Sequence, residues 1–289
     1  MPASMPKMMS AALAEYVAMT LFVVIGVGSA MGVAKEEGMA WVLQVALSFG
    51  LAITALAYAI GAYSGGHINC AVTLGLVLTG NCSWQQGLAN FAAQMLGSVT
   101  GSLILLGIFP ENMDKTGGLG TNSISDGFSS GNAFLGELMM TFLLVFVVLQ
   151  TAVNPNSEGN RSLACMAIGF GVFVAHSVLI PVDGCSINPT RSFGPALVSY
   201  MVYGKTDAFD GMWLFFAGPL AGATLAACSY QALVKISGMS KMASAALAEY
   251  IAMTLFVVIG VGSAEGIAGE DGMAWVLQVA LAFGLAITA

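Results

Sequence analysis

Charge is scarce in this chain. Asp, Glu, Lys and Arg together make up 8% of it, and 8 scattered basic residues stand against 15 acids, for a net charge of -7. No basic patch exists to neutralise a phosphate backbone, so nucleic acid is excluded as a partner. Histidine occurs only at positions 67 and 176, too few and too far apart for a metal cluster, and no metal or other cofactor is expected. The five cysteines fall mostly inside apolar stretches, which argues against a disulfide framework. An enzyme is not expected either, because Cys70 and His67 lack the paired base and orienting partner of a nucleophilic site.

What the chain has in quantity is apolar length. It is 57% hydrophobic, with a mean hydropathy of +0.86. Apolar runs of about 20 residues, enough to cross a bilayer as helix, recur near 11–33, 40–60, 84–109, 132–153, 163–180 and 212–234. Loops rich in Pro, Gly, Asn and Asp separate them. Two further stretches, near 70–79 and 189–200, are too short to cross and are expected to be half-helices that enter the membrane and turn back. Such backbone is tolerated only inside protein or beside a water-filled cavity. The first run contains Glu15 and is too long for a signal-peptide core, so it is expected to stay in the mature protein. Six spans leave both ends of residues 1–237 on one side. Lys7, Arg161, Lys235 and Lys241 fall on that side and Lys35, Lys115 and Lys205 on the other, which makes cytoplasmic termini the expectation. Which membrane is involved is not encoded.

Two repeats are superimposed on this pattern. In the shorter one, Glu15 opens the first span and Glu137 the fourth, and each half then carries an Ile-Asn pair, Ile68-Asn69 and Ile187-Asn188. Each third span follows with Gly97-x-x-x-Gly101 or Gly218-x-x-x-Gly222. Three spans per half is odd, so the second half must be inverted, and inversion brings the two asparagine loops together from opposite faces. In the longer repeat, residues 242–289 copy 8–55 except at Met9/Ala243, Val17/Ile251, Met31/Glu265, Val33/Ile267, Lys35/Gly269, Glu37/Asp271 and Ser48/Ala282. Residues 1–237 therefore read as a complete unit and 238–289 as a partial duplicate of its first two spans. The copy carries no Ile-Asn loop and can form no complete pore.

The chemistry of the loops follows from helix ends. A half-helix that stops near the midplane leaves unpaired N–H groups and a partial positive charge at its N-terminus. An Asn at the N-cap accepts from those N–H groups and keeps amide hydrogens to donate into a cavity. One isolated Ile-Asn loop would be an ordinary turn; two in inverted halves, each ahead of a short apolar helix, point to a shared site. Two such caps would hold a water by its oxygen and oppose a cation or hydronium. Arg191, costly against lipid, should line a cavity or else anchor a loop at the headgroups. His176 is either a cavity residue or a satisfied interhelical donor. His67 reads as a loop-bracing residue.

The run Ile187-Asn188-Pro189-Thr190-Arg191-Ser192-Phe193-Gly194-Pro195-Ala196, with the six spans and two half-helices, resembles the aquaporins of the major intrinsic protein family over about residues 10–235. The resemblance implies an all-α bundle of six transmembrane helices and two re-entrant half-helices, one pore per subunit, and a homotetramer. It implies a pore made by Asn69 and Asn188 and a selectivity constriction of Phe49, His176, Cys185 and Arg191. That set resembles the water-selective members, with His176 and Arg191 donating to a passing water and Cys185 a site of mercurial block. Glu15 and Glu137 would brace the loops. Two departures stand out: the family's Asn-Pro-Ala is Asn69-Cys70-Ala71 in the first loop and Asn188-Pro189-Thr190 in the second. Cys70 restores an N–H where proline has none, and Thr190 exchanges a methyl for a branched, hydroxylated side chain, so a looser pair is expected. The expectation is a passive water channel in a lipid bilayer. Hydrogen peroxide or another small neutral solute, a proton-coupled transporter using the two glutamates, or a poorly conducting junctional protein remain alternatives.

Overall fold

A computed structural model describes residues 5–35, 40–238, 240–266 and 274–288. Among these residues every regular element is helical. In chain order they are α1 (Met5–Val33), α2 (Ala40–Ser64), α3 (Cys70–Leu78), α4 (Trp84–Ile108), α5 (Ser130–Val148), α6 (Ala164–Asp183), α7 (Pro189–Val198), α8 (Met212–Ser237), α9 (Lys241–Glu265) and α10 (Ala274–Thr288). The first helix begins six residues before its apolar run, since Met5–Ser10 are mostly good helix formers and Pro6 sits in the first turn, where its missing N–H costs nothing. Five residues of wider π-turn extend α5 to Val153.

Seven of these helices are long and apolar enough to cross a membrane: α1, α2, α4, α5 with its extension, α6 with the turn before it, α8 and α9. The short α3 and α7 are the two half-helices. Each packs on a long helix of the opposite half in matching fashion, α7 against α4 and α3 against α8, as inverted halves require.

Glycine lets the long helices cross closely. A Cβ on Gly97 would stand 2.6 Å from the Tyr16 carbonyl oxygen, and one on Gly101 2.7 Å from that of Thr20, so α1 and α4 approach backbone to backbone. Gly218 and Gly222 make the same approach of α8 to Glu137, Leu138 and Phe142 on α5. A third close crossing joins α2 and α6 through Gly50 and Gly169. Small residues at such crossings are what membrane helices use in place of a hydrophobic driving force.

The α9–α10 pair lies outside this bundle, against α6 and α8, with a lesser contact to α2. It contributes nothing to the cavities around the asparagines.

Candidate functional site

Each re-entrant loop is held by one glutamate. Glu15 accepts from four donors: the Ser64 hydroxyl at 2.6 Å, the His67 N–H at 2.8 Å, the Ile68 N–H at 2.6 Å and the Gln94 side chain at 2.8 Å. Glu137 accepts from the Ser186 N–H at 2.7 Å and the Ile187 N–H at 2.6 Å. The paired residues are the isoleucines before the asparagines and their predecessors. Both isoleucines sit in the left-handed region, Ile68 at φ +50 and Ile187 at φ +43, which is rare for a β-branched residue and costs of order 1–3 kcal/mol. The buried glutamate oxygens, accepting from the backbone N–H groups on either side, are what hold the backbone there.

That strained step aims each asparagine at the opposite loop. The Asn69 amide donates to the Ile187 carbonyl at 2.8 Å, and the Asn188 amide donates to the Ile68 carbonyl at 2.9 Å. The pair is reciprocal across the inverted halves. Each Asn oxygen caps its own half-helix: Asn69 Oδ1 accepts from the Ala71 N–H at 2.8 Å, and Asn188 Oδ1 from the Arg191 N–H at 3.4 Å. With one amide hydrogen spent on the cross-loop carbonyl, each NH₂ keeps one to give.

The departures from Asn-Pro-Ala have local consequences. The Thr190 hydroxyl donates to Asn188 Oδ1 at 2.6 Å, a shorter bond than the long one from Arg191 N–H. It thereby completes a cap that alanine could not. Cys70, buried at the first position of α3, lies against Thr190, so the two altered positions face each other. Pro189 opens α7, also buried. His67 braces as well as being braced: its ring nitrogen is 2.9 Å from the Thr73 hydroxyl on α3 and 3.3 Å from the Asn90 amide on α4.

The asparagines stand at the end of a cavity of about 460 Å³ that runs past His67, Leu76, Val148 and Ile168 to Arg161. A second cavity of about 180 Å³ opens on the other side, lined by Trp41, Phe49, Thr116, Asp183 and Arg191 among others. Between them is a narrow collar. The Phe49 ring stacks on His176 with centroids 4.2 Å apart, and the Arg191 guanidinium carbon lies 5.2 Å from the centre of the same ring. Phe49 is wedged from behind by Phe22 and rests directly on Gly26, where any side chain would collide with the ring.

Two buried polar atoms in this collar have no partner, His176 Nε2 and Arg191 Nε. Arg191 is otherwise tied down, giving Nη1 hydrogens to the Gly120 carbonyl at 2.9 Å and to Asn122 Oδ1 at 2.8 Å. The His176 Nδ1 faces the Val172 carbonyl at 2.9 Å. A carbonyl can only accept, so Nδ1 carries the proton and the neutral ring offers Nε2 as an acceptor. Cys185 is wholly buried at φ +54, with its N–H on Asp183 Oδ1 at 2.9 Å, and its side chain lines neither cavity.

Sequence reasoning missed three contributors. Asn122 holds Arg191, accepts from the Ser192 hydroxyl at 2.8 Å and donates to the Asp183 carbonyl at 3.2 Å. Gly120 supplies a second carbonyl, and Gln94 fills the fourth place on Glu15. The only signal for the first two was the unusual length of the α4–α5 connection, a length at which loops tend to be functional. Asp114 folds that connection back by accepting from the Thr116 and Leu119 N–H groups. No group of three or more His, Cys, Asp or Glu suited to a metal occurs among the described residues.

Comparison with known proteins agrees with this geometry. Residues 3–230 match the family model described as major intrinsic protein. Among similar proteins are the "Probable aquaporin PIP2-8" of Arabidopsis thaliana, 36% identical over 241 residues that cover 81% of this chain and 84% of the relative, and the "Aquaporin PIP-type" of Atriplex canescens, 37% identical over 241 residues covering 81% and 83%. The fold is similar to that of the aquaglyceroporin from Plasmodium falciparum, with a TM-score of 0.72 at 21% identity, over 81% of this chain and all of that one.

Proposed function

This chain belongs to the major intrinsic protein family and is a multi-pass integral membrane channel for water or small solutes, and from that premise we propose that it is a passive, water-selective channel. Residues 1–237 form the conducting unit. Water passes in single file between the two cavities, through the collar and past the asparagine pair. The observation that carries the reading is the reciprocal Asn69–Ile187 and Asn188–Ile68 bonding at the meeting point of two capped half-helices.

The chemistry follows from which hydrogen bonds are left over. At the collar a water loses part of its hydration shell; Arg191 Nε offers it a donor and His176 Nε2 an acceptor, so the loss is made good. Glycerol meets an aperture closed on one side by the Phe49 ring. At the asparagines, two donors hold the water oxygen, and the positive ends of α3 and α7 converge on the same point. A cation or hydronium is repelled there and again by Arg191. The glutamates are poorly suited to carry protons, since their oxygens already accept from the loop backbone, and this favours a channel over a coupled transporter.

Stopped-flow light scattering on proteoliposomes tests the proposal. Osmotic water flux is expected with a low activation energy and without any ion gradient. Mercurial block that is lost in Cys185→Ser and kept in Cys70→Pro would place the Cys185 thiol at the pore wall, although its side chain lines neither cavity in this structure. Flux that saturates with solute or follows an ion gradient would overturn the channel reading. Block that survives Cys185→Ser but vanishes in Cys70→Pro would move the sensitive thiol to the first loop. Cytoplasmic termini and a homotetramer of the 1–237 unit complete the proposal.

A further inference from the structure

Ser64 and Asp183 hold the same place in the two inverted halves. Each is the last residue of its helix, α2 or α6, and each stands five residues before an asparagine. Each accepts from the backbone N–H two residues on, Ser64 Oγ from Gly66 at 3.0 Å and Asp183 Oδ1 from Cys185 at 2.9 Å. Each also touches the glutamate that braces its loop. The Ser64 hydroxyl donates to Glu15 Oε1 at 2.6 Å, and the Asp183 carboxyl is in side-chain hydrogen-bond contact with Glu137. A hydroxyl has a hydrogen to give at that contact, whereas a carboxylate has none. Asp183 is fully buried, and its Oδ2 takes no N–H or O–H from any described residue.

We propose that Asp183 carries a proton and donates it in a hydrogen bond to Glu137, so that a neutral carboxylic acid does in the second half what the Ser64 hydroxyl does in the first. Two buried carboxylates in contact repel with little solvent to screen them, and such a pair keeps one proton. The proton belongs on Asp183, because both oxygens of Glu137 already accept a loop N–H, from Ser186 and Ile187, while Asp183 accepts only one. It can exchange, since Asp183 lines the second cavity together with Arg191 and Lys35. The other titratable groups nearby are Cys185 in the loop, Asp126 next to the Ser125 that donates to the Val182 carbonyl, and Glu265 of α9, which shares a cavity with Val182. Loss of the proton leaves two like charges under the loop that holds Ile187 at positive φ, and it sets a carboxylate beside Arg191 that draws the guanidinium away from the collar. The neutral acid favours the folded loop, so its contribution is complete at acidic pH and is lost as Asp183 ionises. Water flux therefore falls as pH rises at the second cavity.

Infrared spectroscopy on the full chain tests the proton itself. The C=O band of a protonated carboxyl is expected at neutral pH, shifted when aspartate carboxyls are labelled with heavy carbon and missing from Asp183→Ser. No such band, a band that the label leaves in place, or a labelled band that survives in Asp183→Ser would overturn the inference. The consequence for flux rests on the channel reading, whereas the infrared band does not. In proteoliposomes with equal pH on both sides, the native chain should lose osmotic water flux between neutral and alkaline pH. Asp183→Ser keeps a donor and has no proton to lose, so its profile should be flat over the same range. A native profile that is flat, or an equal fall in Asp183→Ser, overturns the switch. A chain that shows the labelled band but passes no water at any pH would overturn the channel and not the protonated Asp183.

Discussion

At the scale of single residues, Asn69 and Asn188 depend on neighbours that are mostly backbone. Their anchors are the Ile187 and Ile68 carbonyls, and neither is supplied by the altered positions 70 and 190. Proton flux into liposomes under a pH gradient is therefore expected to be no higher for the native chain than for Cys70→Pro/Thr190→Ala. The Thr190→Ala change by itself removes the short bond to Asn188 Oδ1 and should cost about 1 kcal/mol of stability, read from thermal unfolding in detergent. At the collar, His176→Gly removes the face on which Phe49 stacks and leaves Arg191 in place. Glycerol uptake is expected to rise about tenfold or more, with water flux retained, in paired swelling assays.

At the scale of elements, the crossings and the loops carry the architecture. Gly97 faces the Tyr16 carbonyl at a distance no side chain tolerates, so Gly97→Leu must push α4 away from α1. Gln94 and Ser98 ride on the same helix, and with them go a bond to Glu15 and one to the Arg191 carbonyl. The expected outcome is loss of monodisperse protein on size exclusion, with Gly97→Ala intermediate. Much of this level was readable in the chain. The paired Gly-x-x-x-Gly steps, the two half-helices and the glutamates at matching places all follow from periodicity and from the cost of unpaired backbone in lipid. Which donors each glutamate takes was not readable, because Gln94 and Ser64 lie far from Glu15 in sequence and nothing in their local context marks them.

For the whole molecule, orientation is the first consequence of an even number of spans in residues 1–237. Arg161 and Ser162 line the mouth of the larger cavity, and Lys35 and Thr116 that of the smaller. Single cysteines at Ser157 and at Thr116, in a background without native cysteines, should react with a membrane-impermeant maleimide from opposite sides of the bilayer, Ser157 from the cytoplasm. Labelling of both from one side would refute the inverted arrangement. The appended hairpin covers part of the outer surface of α6 and α8.

Sequence by itself determined the membrane setting, the helix count, the inverted repeat and the identity of the asparagine pair, because each rests on local quantities: apolar length, helix capping and spacing. Tertiary structure alone decided the rest. The isoleucine carbonyls as anchors, the hold of Asn122 and Gly120 on Arg191 and the docking of the duplicate on α6 all join residues far apart in the chain. Near-identical sequence even buries opposite faces in α1 and α9. A helical stripe of Leu, Ile and Gly states that it can pack closely, but only the folded molecule supplies the surface it packs against.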